Sequence, residues 1–93
     1  MAAATDRISA HEVKLLLVFR REPERWLANG EVAEAAGISP RTARLHTSRL
    51  VDLGVLEVER VHPASKFRLA REPGKAGRAY LERLERAREV LGL

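Results

Sequence analysis

The sequence predicts an α+β fold in which helix dominates: a three-helix core, a two-stranded ribbon and an additional C-terminal helix. Three observations carry this. Apolar residues recur at helical spacing in three blocks before residue 54, and the last two blocks are separated by only Gly37-Ile38-Ser39. The spacing then switches to alternation over residues 55–69. Beyond Pro73-Gly74 a final block returns to helical spacing. A period near 3.6 marks an amphipathic helix and a period of two marks a half-buried strand.

The first helix follows Ser9-Ala10-His11-Glu12, where a serine with a glutamate three residues on forms a capping box. Val13, Leu16, Leu17 and Arg20 share one face, widened by Leu15, Val18 and Phe19, and Pro23 stops the helix. Arg25-Trp26-Leu27-Ala28 is expected to be a brief strand, with Trp26 in the core. Asn29 is the expected cap of a second helix with Val32, Ala35 and Ala36 inward and Gly37 as its positive-φ stop. Ile38 is the expected buried residue of the turn. Ser39 then caps a third helix that has Pro40 at its first position, where a missing N–H costs nothing. Ala43, Thr47, Leu50 and Leu53 mark its inner face, and Gly54 ends it. Two helices joined so tightly cannot be collinear, which is the helix-turn-helix arrangement.

Residues 55–61 alternate as a strand, His62-Pro63-Ala64-Ser65 form a turn, and Lys66-Phe67-Arg68-Leu69 alternate again, so 55–69 is a hairpin. The helix expected at 75–91 carries Tyr80, Leu84, Ala87 and Leu91 in one stripe, with Leu81 alongside. The reading divides the chain into residues 1–72, holding the helix-turn-helix and its ribbon, and residues 73–93, the terminal helix.

Composition excludes several functions. The chain has 93 residues, enough for one core. It has no cysteine, so disulfides, thiolate zinc sites and thiol nucleophiles are out. His11, His46 and His62 have no ligand spacing, no carboxylates form a catalytic pair, and no nucleophile or phosphate-loop motif occurs. The expectation is a protein that is not an enzyme, with no metal and no cofactor. Neither a signal-peptide pattern at Met1–Arg7 nor an apolar run of membrane length is present, so a cytoplasmic protein is expected. The net charge is +4, and it is unevenly placed. Residues 41–71 hold seven Lys/Arg against three Asp/Glu, whereas residues 1–40 hold five against six. A basic segment of this kind suits a polyanionic partner, although a solvated basic face gives the same count.

The stretch Glu31-Val32-Ala33-Glu34-Ala35-Ala36-Gly37-Ile38-Ser39-Pro40-Arg41-Thr42-Ala43-Arg44 resembles the helix-turn-helix of bacterial winged-helix transcription regulators, the broad group of MarR-, ArsR- and GntR-type proteins. Leu50-Val51-Asp52-Leu53-Gly54-Val55-Leu56-Glu57 is similar to that group's exit from recognition helix into wing. The resemblance spans residues 9–70 and implies a winged helix-turn-helix that binds double-stranded DNA. Thr47 departs from it, because the group more often has a larger aliphatic residue there.

On this fold the helix at 39–53 enters the major groove and its first turns meet base edges. Side chains directed away from Ala43, Thr47 and Leu50 are Arg41, Thr42, Arg44, Leu45, Ser48 and Arg49. Arg41 and Arg44 suit bidentate contacts to guanine, Thr42 and Ser48 suit base or phosphate, Arg49 suits backbone, and the helix start at Ser39 offers N–H groups to a phosphate. The wing at 55–69 adds Arg60, His62, Lys66 and Arg68 for backbone or minor groove, with a charged edge strand as the alternative role for Lys66. Tyr80, Leu84, Ala87 and Leu91 fit a short heptad stripe, so the terminal helix is expected either to form a homodimer or to pack on the first helix. A sequence-specific transcription regulator is the leading expectation. A winged-helix module that binds protein, or a replication or plasmid-maintenance factor that binds DNA, is the alternative.

Overall fold

The computed structural model describes residues 9–61 and 64–93. Helix α1 (Ala10–Arg21) leads to strand β1 (Leu27–Ala28), then to α2 (Asn29–Ala36) and α3 (Pro40–Asp52). Strands β2 (Leu56–Val61) and β3 (Ala64–Leu69) follow, and α4 (Lys75–Leu91) closes the order. This is a winged helix-turn-helix. The capping box of α1 forms as expected: Ser9 Oγ accepts from the Glu12 N–H at 3.3 Å, and Glu12 Oε1 accepts from the Ser9 N–H at 3.4 Å. Gly37 ends α2 at φ 71°, in the left-handed region where a side chain would be strained. No helix among the described residues is long and apolar enough to cross a membrane.

The sheet has three strands in the order β1-β3-β2, all antiparallel. Leu27 pairs with Phe67, and Phe67 with Val58, so the short β1 extends the ribbon onto the helices. Strand β3 starts at Ala64, two residues before the expected Lys66, because Ala64 and Ser65 continue the ladder opposite Val61 and Arg60. His62 and Pro63, expected in the turn, lie outside the described residues.

One core joins every helix. Val13, Leu15, Leu16 and Phe19 of α1 meet Val32, Ala33 and Ala36 of α2, Ala43 and Leu50 of α3, and Leu56 and Phe67 of the ribbon. Several inward expectations shift. On α2 Ala33 is buried beside Ala36, and Ala35 is exposed, because α2 starts at Asn29 and its inner face follows the 32, 33, 36 spacing. Ile38 and Leu53 are half-buried against the core's edge. Arg20 stays at the surface and pairs with Glu85 of α4. Trp26 is half-buried at the sheet's edge and carries the Arg68 guanidinium 4.4 Å from its ring centroid.

The terminal helix belongs to the same core. Tyr80 is 3% exposed and Leu84 is 0% exposed, so both are used within the chain, and Ala87 packs against the same cluster. Of the stripe expected to dimerise, only Leu91 remains substantially open, at 45%. The close seating of α4 depends on Gly77. A Cβ there would stand 3.0 Å from the Leu53 carbonyl oxygen, 3.1 Å from Pro73 Cβ and 3.2 Å from the Gly54 carbonyl oxygen.

Gly77→Ala therefore sets two effects against each other. Helix propensity favours alanine by about 1 kcal/mol, whereas a rigid backbone contact of this kind costs about 1–3 kcal/mol. The contact is expected to win, and a urea or thermal melt should show the variant less stable than the parent chain. A more stable variant would mean that α4 does not seat this closely.

Candidate nucleic-acid interface

The geometry of the site follows from α3. Ser39 caps it: its Oγ accepts from the Thr42 N–H at 3.1 Å and donates to Thr42 Oγ1 at 2.9 Å. Ala43, Thr47 and Leu50 are fully buried beneath it. At about 100° per residue, that places Arg41, Leu45 and Ser48 on the opposite side. All three are exposed, as is Arg44 on the flank next to the ribbon, and Leu45 is 69% exposed despite its size. Leu45 is thus an apolar side chain at the centre of a polar face.

The other flank of α3 carries Arg49, which is exposed and lies beside Tyr80 of α4. The Arg49 guanidinium lies 5.9 Å from the centroid of the Tyr80 ring, and Arg83 lies 5.6 Å from the same ring. Half-buried His46 is on this flank, where burial pushes its imidazole below the ordinary 6.5, Glu12 pulls it back up, and His11 and Arg49 add to the lowering.

The ribbon separates the basic residues that the sequence grouped together. Alternation puts Arg60 on the same side as Phe67 and Ser65, facing α3, and puts Lys66 and Arg68 on the reverse side. Arg60, Ser65 and Phe67 form one wall of a groove of about 460 Å³ whose other walls include Arg44, Ser48 and Asp52 of α3 and Asn29 at the start of α2. Lys66 is paired across the strands with Glu59. Arg68 is internally bound: its Nε donates to Glu57 Oε1 at 3.2 Å, its Nη1 lies 3.9 Å from Glu24 Oε1, and it covers Trp26. Arg71 completes the set, donating its backbone N–H to Glu57 Oε2 and its Nη2 to Glu24 Oε1, each at 3.2 Å. The Glu57 carboxyl is held below the ordinary range by the Arg71 N–H first and by the Arg68 hydrogen bond and charge after it. Arg68, expected on the interface, is instead a brace on the back of the ribbon. His62 lies outside the described residues.

By contrast, among the described residues no carboxylate forms a salt bridge with Arg41, Arg44 or Arg60. The face made by α3 and the front of the ribbon therefore collects unneutralised guanidinium groups. No group of His, Asp and Glu among the described residues is arranged to hold a metal. Asn29, Gly30 and Asp52 line the groove, although the sequence marked Asn29 only as a helix cap and gave Gly30 and Asp52 no role in the site. The available signal was Thr47: a hydroxyl on the inner face of a helix needs a partner. That partner is Asn29, whose Oδ1 accepts from Thr47 Oγ1 at 2.7 Å. Asn29 is the first residue of α2 and not its cap, which is Ala28, and the Ala28 N–H donates to Glu31 Oε1 at 3.0 Å.

No family model matches the sequence, and no curated relative does either. Solved structures do match. A possible transcriptional regulator from Methanosarcina mazei Go1 superposes with a TM-score of 0.66 at 10% identity, covering 96% of this chain and 74% of its own. The PcaV transcriptional regulator from Streptomyces coelicolor, in complex with its natural ligand, gives 0.63 at 25% identity, covering 90% and 60%. MepR from Staphylococcus aureus, in its DNA complex, gives 0.62 at 11% identity, covering 96% and 74%. Across these and further regulator structures the chain spans 57% to 74% of the matched length. The likeness is one of fold.

The buried flank of α3 generates a pH prediction. An unfolded His46 takes up its proton near the ordinary value and the folded one only at lower pH, so below about 6.5 the unfolded chain binds more protons. Its contribution to stability is complete above that value and declines as the pH falls through the window beneath it. Urea midpoints at about pH 7.5 and about pH 5.5 should differ more for the parent chain than for His46→Gln. Equal differences would remove His46 as the cause.

Proposed function

We propose that the chain is a sequence-specific transcription regulator that binds double-stranded DNA, acting in the cytoplasm. In this reading α3 lies in the major groove and the ribbon runs along the adjacent backbone or minor groove. The observation that carries it is the face described above: Arg41, Arg44, Leu45 and Ser48 stand together on the exposed side of a helix whose other side is locked into the core. Arginine fits the O6 and N7 pair of guanine, and an exposed leucine suits a thymine methyl group. Arg60 on the front of the ribbon supplies a cation for phosphate, while Ser39 and Thr42 mark the helix start where backbone N–H groups favour an anion. Arg49, held over Tyr80, meets the backbone from the other flank. The fold shared with MepR, which was solved with DNA, supports the same reading.

A homodimer belongs to the proposal. Leu91 at 45%, Val90 at 87% and Leu93 at 41% exposure leave an apolar end on α4 for a second copy, whereas Tyr80 and Leu84 are unavailable. Two recognition helices about one turn of DNA apart would then read a near-palindromic site.

Selection of bound duplexes from a random pool tests affinity, symmetry and spacing together. The expected product is an enriched, two-fold symmetric site with half-sites about 10 base pairs apart. Failure to retain any duplex at low salt would transfer the chain to protein recognition. Against the selected site, Arg44→Ala is expected to cost about 1–3 kcal/mol and to relax preference at one base. Arg60→Ala should weaken all sequences alike and lower the salt slope by about 1. An Arg44→Ala variant with unchanged affinity and preference would show that α3 reads with another face. Arg68→Ala, in contrast, should lower the melting temperature before it alters the salt slope.

A further inference from the structure

The groove between α3 and the ribbon contains a polar side chain to which the reading above gives no role. Asn29 stands in its wall, beside Arg44 and Ser48 and across from Arg60 and Ser65. Its amide is oriented by Thr47. The Thr47 hydroxyl has one hydrogen and two acceptors in reach, Asn29 Oδ1 at 2.7 Å and the Arg44 carbonyl at 3.2 Å, and the shorter contact takes it. Thr47 itself is fully buried, so this contact fixes the carbonyl side of the amide toward the protein. The NH2 group is then the free end, and among the described residues it donates to nothing. Nor does the helix start require it, since the cap position of α2 is Ala28 and Asn29 is already its first helical residue.

We infer that Asn29 is an anchor for the DNA backbone: its amide donates to a phosphodiester oxygen of the strand running between α3 and the ribbon, with Thr47 as the positioning residue that keeps the donor outward. The inference rests on the DNA-binding reading of α3. Two guanidinium groups with no salt bridge among the described residues, Arg44 and Arg60, border the groove against one lining carboxylate, Asp52, which lies a turn beyond Ser48. The balance favours an anion. Base edges meet the outward side of α3 at Arg41 and Leu45, whereas Asn29 sits on the preceding helix, at the level of Thr47, where the phosphate path lies.

The test uses fluorescence anisotropy with a mixed-sequence duplex of about 30 base pairs, titrated over a range of salt. Asn29→Ala is expected to weaken binding about tenfold, the scale of a hydrogen bond to a charged group. Because the lost contact is neutral, its salt slope should match the parent's, unlike that of Arg60→Ala. Asn29→Asp keeps an acceptor for Thr47 and places a negative charge at a helix start, where it stabilises, so its melting temperature should hold while binding falls further. Ala35→Asp, exposed on the same helix away from the groove, measures the general effect of one added charge and should cost less than Asn29→Asp. Thr47→Val should weaken binding, and Thr47→Ser, which restores the hydroxyl, should recover it. A parent chain that binds the duplex, with Asn29→Ala and Asn29→Asp binding equally well, overturns the assignment of Asn29 alone. A parent chain with no affinity for any duplex overturns the DNA reading and this inference with it.

Discussion

The burial of one side of α3 is the constraint on which the remainder depends. Ala43, Thr47 and Leu50 are buried in the shared core, with α2 as the main neighbouring helix, and a helix that has surrendered those positions has no freedom about its own axis. What faces outward is therefore settled by the helical repeat and not by the preferences of the exposed residues. Ala43 is small where α2 approaches with Ala33 and Ala36, so the two helices can meet closely across the three-residue turn. Thr47 adds a directional element that an aliphatic residue would lack. Its hydroxyl binds Asn29 across the helix pair, giving a buried polar group its partner and adding an orientation to the packing.

Electrostatics follow from that geometry. The arginines at the back of the molecule are occupied: Arg20 with Glu85, Arg25 with Glu22 and Glu31, Arg68 and Arg71 with Glu24 and Glu57. Exposed pairs of this kind contribute at most about 1 kcal/mol each. Their larger effect is to cancel charge there, whereas among the described residues Arg41, Arg44 and Arg60 on the front form no salt bridge. Arg68 is the most constrained of them, since a ring beneath it and carboxylates beside it hold it on three sides. That brace also links the ribbon to the segment after α1.

The terminal helix is part of the scaffold. Gly77 lets α4 rest on the carbonyls that end α3, and Leu84 fills the core beyond it. Tyr80 lies under guanidinium groups from two helices, Arg49 of α3 and Arg83 of its own. A displacement of α4 would therefore reach α3 directly, through a stacked ring and not through a flexible loop.

Much of this was legible in the residues alone. Ser9 with Glu12, Gly37, Ser39-Pro40 and Gly54 act within a few positions of themselves, and the inner face of α3 is a matter of local period, so element order, the tight turn and the outward set Arg41, Arg44, Leu45 and Ser48 could be read directly. Other assignments required the assembled chain. Whether Arg68 is free or held by Glu57 depends on which side of the ribbon meets α3; whether Tyr80 and Leu84 meet a second copy or their own core depends on the seating of α4; and the acceptor for Thr47 is Asn29, eighteen residues away. Helical and strand periods are set by neighbours in sequence, whereas the partner of a side chain is set by whatever packing brings within about 3 Å, and a linear pattern carries the first without the second.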